Sequence, residues 1–167
     1  MKPLNLVTAA CLMASPCFAD LQVQFYEGAP KDRFVVTNEG ACTIETAQIT
    51  IDLSESTGGL IFDVTEAGSG VEVFQPFVVV AGSKHLVSLP EVQDGDQIIS
   101  LNLVSFGASE SVAFTIDVDD TAGARQITVS GSEMQGATVS ALLGSQKFQA
   151  AFGDVPEIML ETGACLS

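Results

Sequence analysis

Residues 112–142 read VAFTIDVDDTAGARQITVSGSEMQGATVSAL and contain a clean two-residue alternation of apolar and small or polar residues. This period is that of a half-buried β-strand. Acids and glycine follow at residues 119–123 and favour a turn. A second alternation, around Ile127 and Val129, comes next. The stretch therefore predicts a β-hairpin or strand pair with carboxylates gathered at one end.

The same period recurs along the chain between turns rich in Gly, Ser and Asp, and no window of comparable length has a good helical period with caps. The sequence predicts an all-β fold, an antiparallel β-sandwich of about ten short strands. A closed β-barrel is the second interpretation. Within residues 42–53, Cys42 and Ile44 differ in parity from Ile49 and Ile51, which predicts a bulge or bend near Thr46.

The N-terminus has the features of a secretory signal peptide. Lys2 precedes a short apolar run, and small residues lead to Ala19. The run is shorter than the roughly 20 residues that a membrane-spanning helix needs. We expect cleavage after Ala19, so that residues 1–19 are the signal peptide and residues 20–167 form a single β-sandwich domain. The predicted localisation is secreted or periplasmic, without membrane insertion.

The charge balance narrows the class of partner. The chain has 6 Lys and Arg against 21 Asp and Glu, a formal net charge of −15. Such a charge repels nucleic acid and anionic lipid. It suits solubility, cation binding or a basic partner.

Cysteine usage agrees with export. Removing the signal peptide leaves only Cys42 and Cys165. An even number of cysteines in an oxidising compartment predicts one disulfide between them.

Acidic residues at the end of the central strand form the main candidate site. Alternation places Asp117 and Asp119 on one face, about 7 Å apart along the strand. Calcium takes six to eight oxygen ligands, largely carboxylates and carbonyls. If an ion binds, we expect calcium as the cofactor and Asp117, Asp119 and Asp120 among its ligands, with Asp94 and Asp96 nearby. The alternative is a solvated acidic edge that discourages aggregation.

Catalytic signatures are weak. His85 is the single His, it lies beside Ser83, and the chain has no Gly-x-Ser-x-Gly elbow. Nor do a lone His and spaced cysteines supply a zinc set. Without Trp and with Tyr26 as its single Tyr, the chain does not favour stacking of sugars. We therefore expect no enzyme activity.

Three segments resemble small secreted bacterial proteins that are described as similar to the marine-sponge aggregation factor core protein; they are residues 27–34, 114–121 and 129–137. The resemblance covers most of the chain after residue 19. It implies an extracellular β-rich domain with calcium-dependent adhesion or self-assembly, and it carries over no ligand residue.

Together these observations predict a secreted, non-catalytic adhesion or assembly domain. Its expected partner is itself, another extracellular protein or a glycan. The alternative is an extracellular or periplasmic ligand-binding or inhibitor domain, and a secreted hydrolase comes last.

Overall fold

The structure, a computed structural model, describes residues 18–66, 74–122 and 128–164. Its regular elements are eleven strands and one short 3₁₀ helix, and the described residues contain no α-helix. The strands are β1 (Phe18–Tyr26), β2 (Asp32–Asn38), β3 (Ile44–Asp52), β4 (Ile61–Phe62), β5 (Val78–Ala81), β6 (Ile98–Phe106), β7 (Ser111–Ile116), β8 (Val118–Asp119), β9 (Thr138–Leu143), β10 (Gln146–Ala151) and β11 (Glu157–Ala164). The 3₁₀ helix η1 spans Ser83–His85.

The strands form three antiparallel sheets. The largest has the order β11-β1-β2-β7-β5, the second has the order β10-β9-β3-β6, and β4 pairs with β8 in a small third sheet. Every sheet has open edges, so the predicted all-β sandwich is confirmed and the closed barrel is wrong. No helix in the described part of the chain is long and apolar enough to cross a bilayer.

One hydrophobic core joins the two larger sheets. Alternating residues of the strands point inward and are fully covered, among them Leu21, Phe34, Ile49, Leu101 and Phe114. The Phe34 and Phe114 rings stack at a centroid distance of 5.2 Å where β2 pairs with β7. The period-two pattern of the sequence is therefore the pattern of core contacts.

The predicted irregularity near Thr46 is a bend without an inserted residue. The buried parity of β3 switches between Ile44 and Ala47, while its register with β6 stays constant. The positive φ of 47° at Ser105 lies on the facing part of β6. Both strands therefore turn together, and the chain keeps its apolar residues in the core on either side.

The central stretch differs in part from its prediction. Its end, β8, pairs with β4, and the described residues 128–130 are not a strand; residues 123–127 lie outside the described residues. Both faces of the strand are also covered, because Ala113 and Thr115 are buried like Phe114. The expectation of a half-buried strand is therefore wrong here, whereas the predicted hairpin or strand pair lies partly outside the described residues.

Two sheet edges lie on the same side of the sandwich because a short segment joins them. Residues 82–85 lead from β5, at the edge of the largest sheet, to Leu86, which bridges Leu103 of β6. The Val87 amide also donates to the Asn102 carbonyl, at 2.9 Å. This segment partly covers the free edge of β6, whereas no described residue pairs with the outer side of β5.

Candidate functional site

The strongest candidate site is a group of four buried aspartates. We call Asp32, Asp63, Asp117 and Asp119 the carboxylate cluster. All four are at most 4% exposed. They come from β2, from the residue after β4, and from the β7–β8 segment. The cluster therefore lies where the small sheet meets the middle of the largest sheet.

Asp32 is the first residue of β2 and has the parity of the core residues Phe34 and Val36. It faces Ile116 of β7 across the ladder. Its Oδ1 accepts a hydrogen bond from the Gly28 amide at 3.0 Å, and its Oδ2 accepts one from the Val118 amide at 3.2 Å. The carboxylate thus joins the turn before β2 to the start of β8.

Asp63 and Asp117 are neighbours through the backbone. The Asp63 amide donates to the Asp117 carbonyl at 3.1 Å. Asp63 Oδ1 and Asp117 Oδ2 are both buried and have no hydrogen-bond partner among the described residues. A buried polar atom without a partner costs about 1–3 kcal/mol, so such atoms need a physical explanation.

Burial and mutual repulsion make ionisation of the cluster unfavourable. Burial, with the charges of Asp119, Asp32 and Asp63, raises the pKa of Asp117 to about 8. Burial, opposed by the two backbone hydrogen bonds, raises the pKa of Asp32 to about 7. Burial and the charges of Asp119 and Asp94 raise the pKa of Asp63 to about 6. Asp119 contributes to all three shifts and is therefore central to the cluster.

Two kinds of positive charge can compensate such carboxylates, namely protons and a cation. A hydrogen bond between the Asp63 and Asp119 side chains requires a shared proton, which the raised pKa of Asp63 favours. With the side chains in these positions, no group of three or more His, Cys, Asp or Glu among the described residues could hold a metal ion. The arrangement in this structure is thus that of a proton-sharing cluster.

The structure buries all three of the predicted calcium ligands. Asp117, Asp119 and Asp120 are 4%, 2% and 5% exposed, so the solvated acidic edge is wrong. Asp117 and Asp119 belong to the carboxylate cluster, and Asp120 follows β8. That these residues bind calcium stays a prediction.

Asp94 and Asp96 stabilise a loop instead. Asp94 Oδ1 accepts the amides of Val64 and Thr65, both at 2.7 Å. A hydrogen bond from the Thr65 hydroxyl, and after it these two amide bonds, lower the pKa of Asp94. Asp96 Oδ2 accepts the Gln93 amide at 2.8 Å. Asp94 holds the backbone that follows Asp63, so it positions one member of the cluster.

His85 has a packing role. Its ring is buried against Phe106, with centroids 5.3 Å apart. Nδ1 lies 3.3 Å from the Val104 carbonyl oxygen, and Nε2 lies 3.2 Å from a carboxylate oxygen of Glu110, which also binds Lys84. Both ring nitrogens are therefore engaged in fixing η1 between the two sheets.

The predicted disulfide joins a described residue to one that is not. Cys42 lies in the turn between β2 and β3, where its carbonyl accepts the Asn38 side-chain amide at 2.7 Å. Cys165 lies outside the described residues, directly after the end of β11. The Cys42–Cys165 pairing stays a prediction.

Sequence reasoning missed Asp32 and Asp63. Asp32 could have been found, because it continues the buried parity of Phe34 and Val36 at the start of β2. Asp63 follows a strand of two residues, which is too short for a period. Its place depends on the pairing of β4 with β8, and a single sequence does not reveal that pairing.

Three surface hollows of about 280 to 390 Å³ are lined without any member of the carboxylate cluster. They lie around Asn102, around Phe148 and around Pro156. They add no support to a ligand pocket beside the acids.

No protein-family model, curated protein or solved structure matches the chain.

Proposed function

We propose that the chain is a non-catalytic adhesion or assembly domain that acts outside the cytoplasm. The observation that carries the proposal is β5, an uncharged strand of three valines and an alanine at the open edge of the largest sheet. Its outer backbone groups have no strand partner among the described residues. An unpaired edge is a template onto which another chain adds a strand.

The side chains of β5 add an apolar surface to this edge. Val78 is 43% exposed and Val80 is 51% exposed. Val87 and Leu89 are also exposed, on the segment that leads away from η1. Natural edge strands are usually protected by charges, proline or bulges. β5 has only four residues and a register irregularity between Val79 and Ala81, but it carries no charge and no proline, so its exposed valines favour association.

Net charge opposes contact between two copies at low ionic strength. The chain carries a formal charge of −15. Salt screens this repulsion, since the Debye length falls to about 8 Å at physiological ionic strength. Calcium, which we propose as the assisting cation, would reduce the charge directly. Assembly of this domain should consequently increase with salt and with calcium.

The test uses beads that display residues 20–167. Clustering should be stronger with calcium and salt than with chelator. Val80→Lys places a charge on the edge strand and should abolish clustering, whereas Val155→Lys, at a valine that is 63% exposed in the β10–β11 loop, should leave it intact. Because both valines are exposed, neither change should alter the circular dichroism spectrum.

Absence of clustering in every condition would contradict the adhesion proposal. The ligand-binding alternative would then take its place. Equal clustering of Val80→Lys and the wild type would show that the contact between copies does not involve β5.

A further inference from the structure

Two buried carboxylate oxygens have no hydrogen-bond partner in the part of the chain that the structure describes. Asp63 Oδ1 and Asp117 Oδ2 accept no hydrogen bond from any described residue, although their residues are only 2% and 4% exposed. Nearly all buried polar atoms in folded proteins have a partner, and an exception points to a water or an ion. Their missing partners indicate a bound water or ion independently of the number of acids nearby.

Both oxygens belong to residues of the carboxylate cluster. The backbone hydrogen bond of 3.1 Å keeps Asp63 beside Asp117. The charge of Asp63 acts on Asp117, and the side chain of Asp119 contacts Asp63. Asp32 approaches from β2 and is held by the Val118 amide. Four carboxyl groups from three segments thus converge on one buried region.

We propose that Asp32, Asp63, Asp117 and Asp119 together bind one hard divalent cation of the Ca²⁺ class. This inference deepens the calcium assistance in the proposed function by giving it a site. The proposed ligands differ from those predicted from the sequence, because Asp32 and Asp63 join Asp117 and Asp119 and Asp120 is not among them. Binding would connect β2, β4 and β8 through a single ion.

The cation takes the place of the shared proton. The Asp63–Asp119 hydrogen bond opens, its proton leaves to solvent, and carboxylate oxygens of both residues turn to the cation. This exchange accounts for the absence of a ready-made ligand set in the present side-chain positions. The oxygen-only donors favour a hard cation over zinc or copper.

Ca²⁺ suits these donors better than Mg²⁺. Calcium accepts irregular sets of six to eight oxygens and several carboxylates. Magnesium demands near-ideal octahedral geometry and keeps several waters, for which a buried cluster leaves little room. We therefore expect a larger response to calcium than to magnesium at equal concentration.

The test is thermal unfolding of residues 20–167 at pH 8, at a concentration where the protein is monomeric. Calcium chloride at about a hundred times the Kd should raise the Tm by about 5–10 °C relative to chelator. Asp63→Asn and Asp117→Asn should lose this rise, because each removes one anionic ligand. Asp154→Asn, at an exposed acid in the β10–β11 loop, should keep it.

Calorimetric titration of the wild type with calcium chloride provides a second readout that does not need a folded variant. One site per chain supports the proposal. No heat and no Tm rise in the wild type would overturn it, and so would a full Tm rise in both Asp63→Asn and Asp117→Asn.

Failure of this site is distinguishable from failure of the adhesion function. Val80→Lys should keep the calcium-induced Tm rise while it loses clustering. A Tm rise without clustering in the wild type would contradict the adhesion function alone, and clustering without a Tm rise would contradict the site alone.

Discussion

At the scale of single residues, the carboxylate cluster links stability to pH. The pKa values of Asp63, Asp32 and Asp117 are raised from 3.8 to about 6, 7 and 8. The folded state therefore binds more protons than the unfolded state above pH 3.8, and stability falls as pH rises through this range. Asp94 and Glu110 have lowered pKa values and act in the opposite direction, at acidic pH.

We predict that, with chelator present, the free energy of unfolding is greatest at mildly acidic pH and decreases between about pH 5 and pH 8. Asp117→Asn removes the group with the highest pKa and should flatten this decrease. At pH 8 it should stabilise the metal-free protein, because it removes a buried charge that Asp119, Asp32 and Asp63 repel. Urea unfolding at several pH values measures both effects. Stability that rises with pH from 5 to 8 would contradict the shifts.

At the scale of elements, Gly82 controls the passage from β5 to η1. Its φ is 71°, and a Cβ there would lie 2.1 Å from the Ser111 carbonyl oxygen. Gly95 also has a positive φ, of 83°, but a Cβ there would meet nothing within 4 Å. A side chain at either position would strain the backbone, but only a side chain at Gly82 would also clash with β7.

We predict that Gly82→Ala destabilises the protein by more than Gly95→Ala, by about 1–3 kcal/mol, the usual cost of forcing extra atoms into a packed site. Both changes share the cost of a positive φ, so their difference isolates the contact with β7. Chemical denaturation of the two variants gives this difference. Equal losses would mean that β5 can move away from β7 without cost.

The elements also show what a sequence can and cannot predict. The two-residue period is visible in the sequences of β1, β6 and β9, because alternate side chains enter the core. The same rule failed for the β7–β8 stretch, where neighbouring segments cover both faces. Strand pairing, and with it the meeting of Asp63 with Asp117, depends on contacts between distant segments, which local patterns do not contain.

At the scale of the whole molecule, strand order favours the Cys42–Cys165 disulfide. The first part of β1 pairs with Asn38 of β2 on one side and with Ala164 of β11 on the other. Asn38, at the end of β2, and Ala164, at the end of β11, therefore lie near one end of the same sheet. Closing so long a loop stabilises by about 4–5 kcal/mol in the chain-entropy description.

We predict no free thiol in the exported protein when it is denatured without reductant. Thiol titration measures this, and two free thiols per chain would contradict the pairing. Replacing both cysteines by Ser should lower the free energy of unfolding by about 2–5 kcal/mol.

Assembly through β5 is the property that would give the whole molecule its function. Size-exclusion chromatography with light scattering tests it most directly, on the wild type and on Val80→Lys, with calcium and salt and with chelator. We predict that the wild type exceeds the monomer mass only with calcium and salt, and that Val80→Lys stays monomeric throughout. A wild type that is monomeric in every condition would contradict the account.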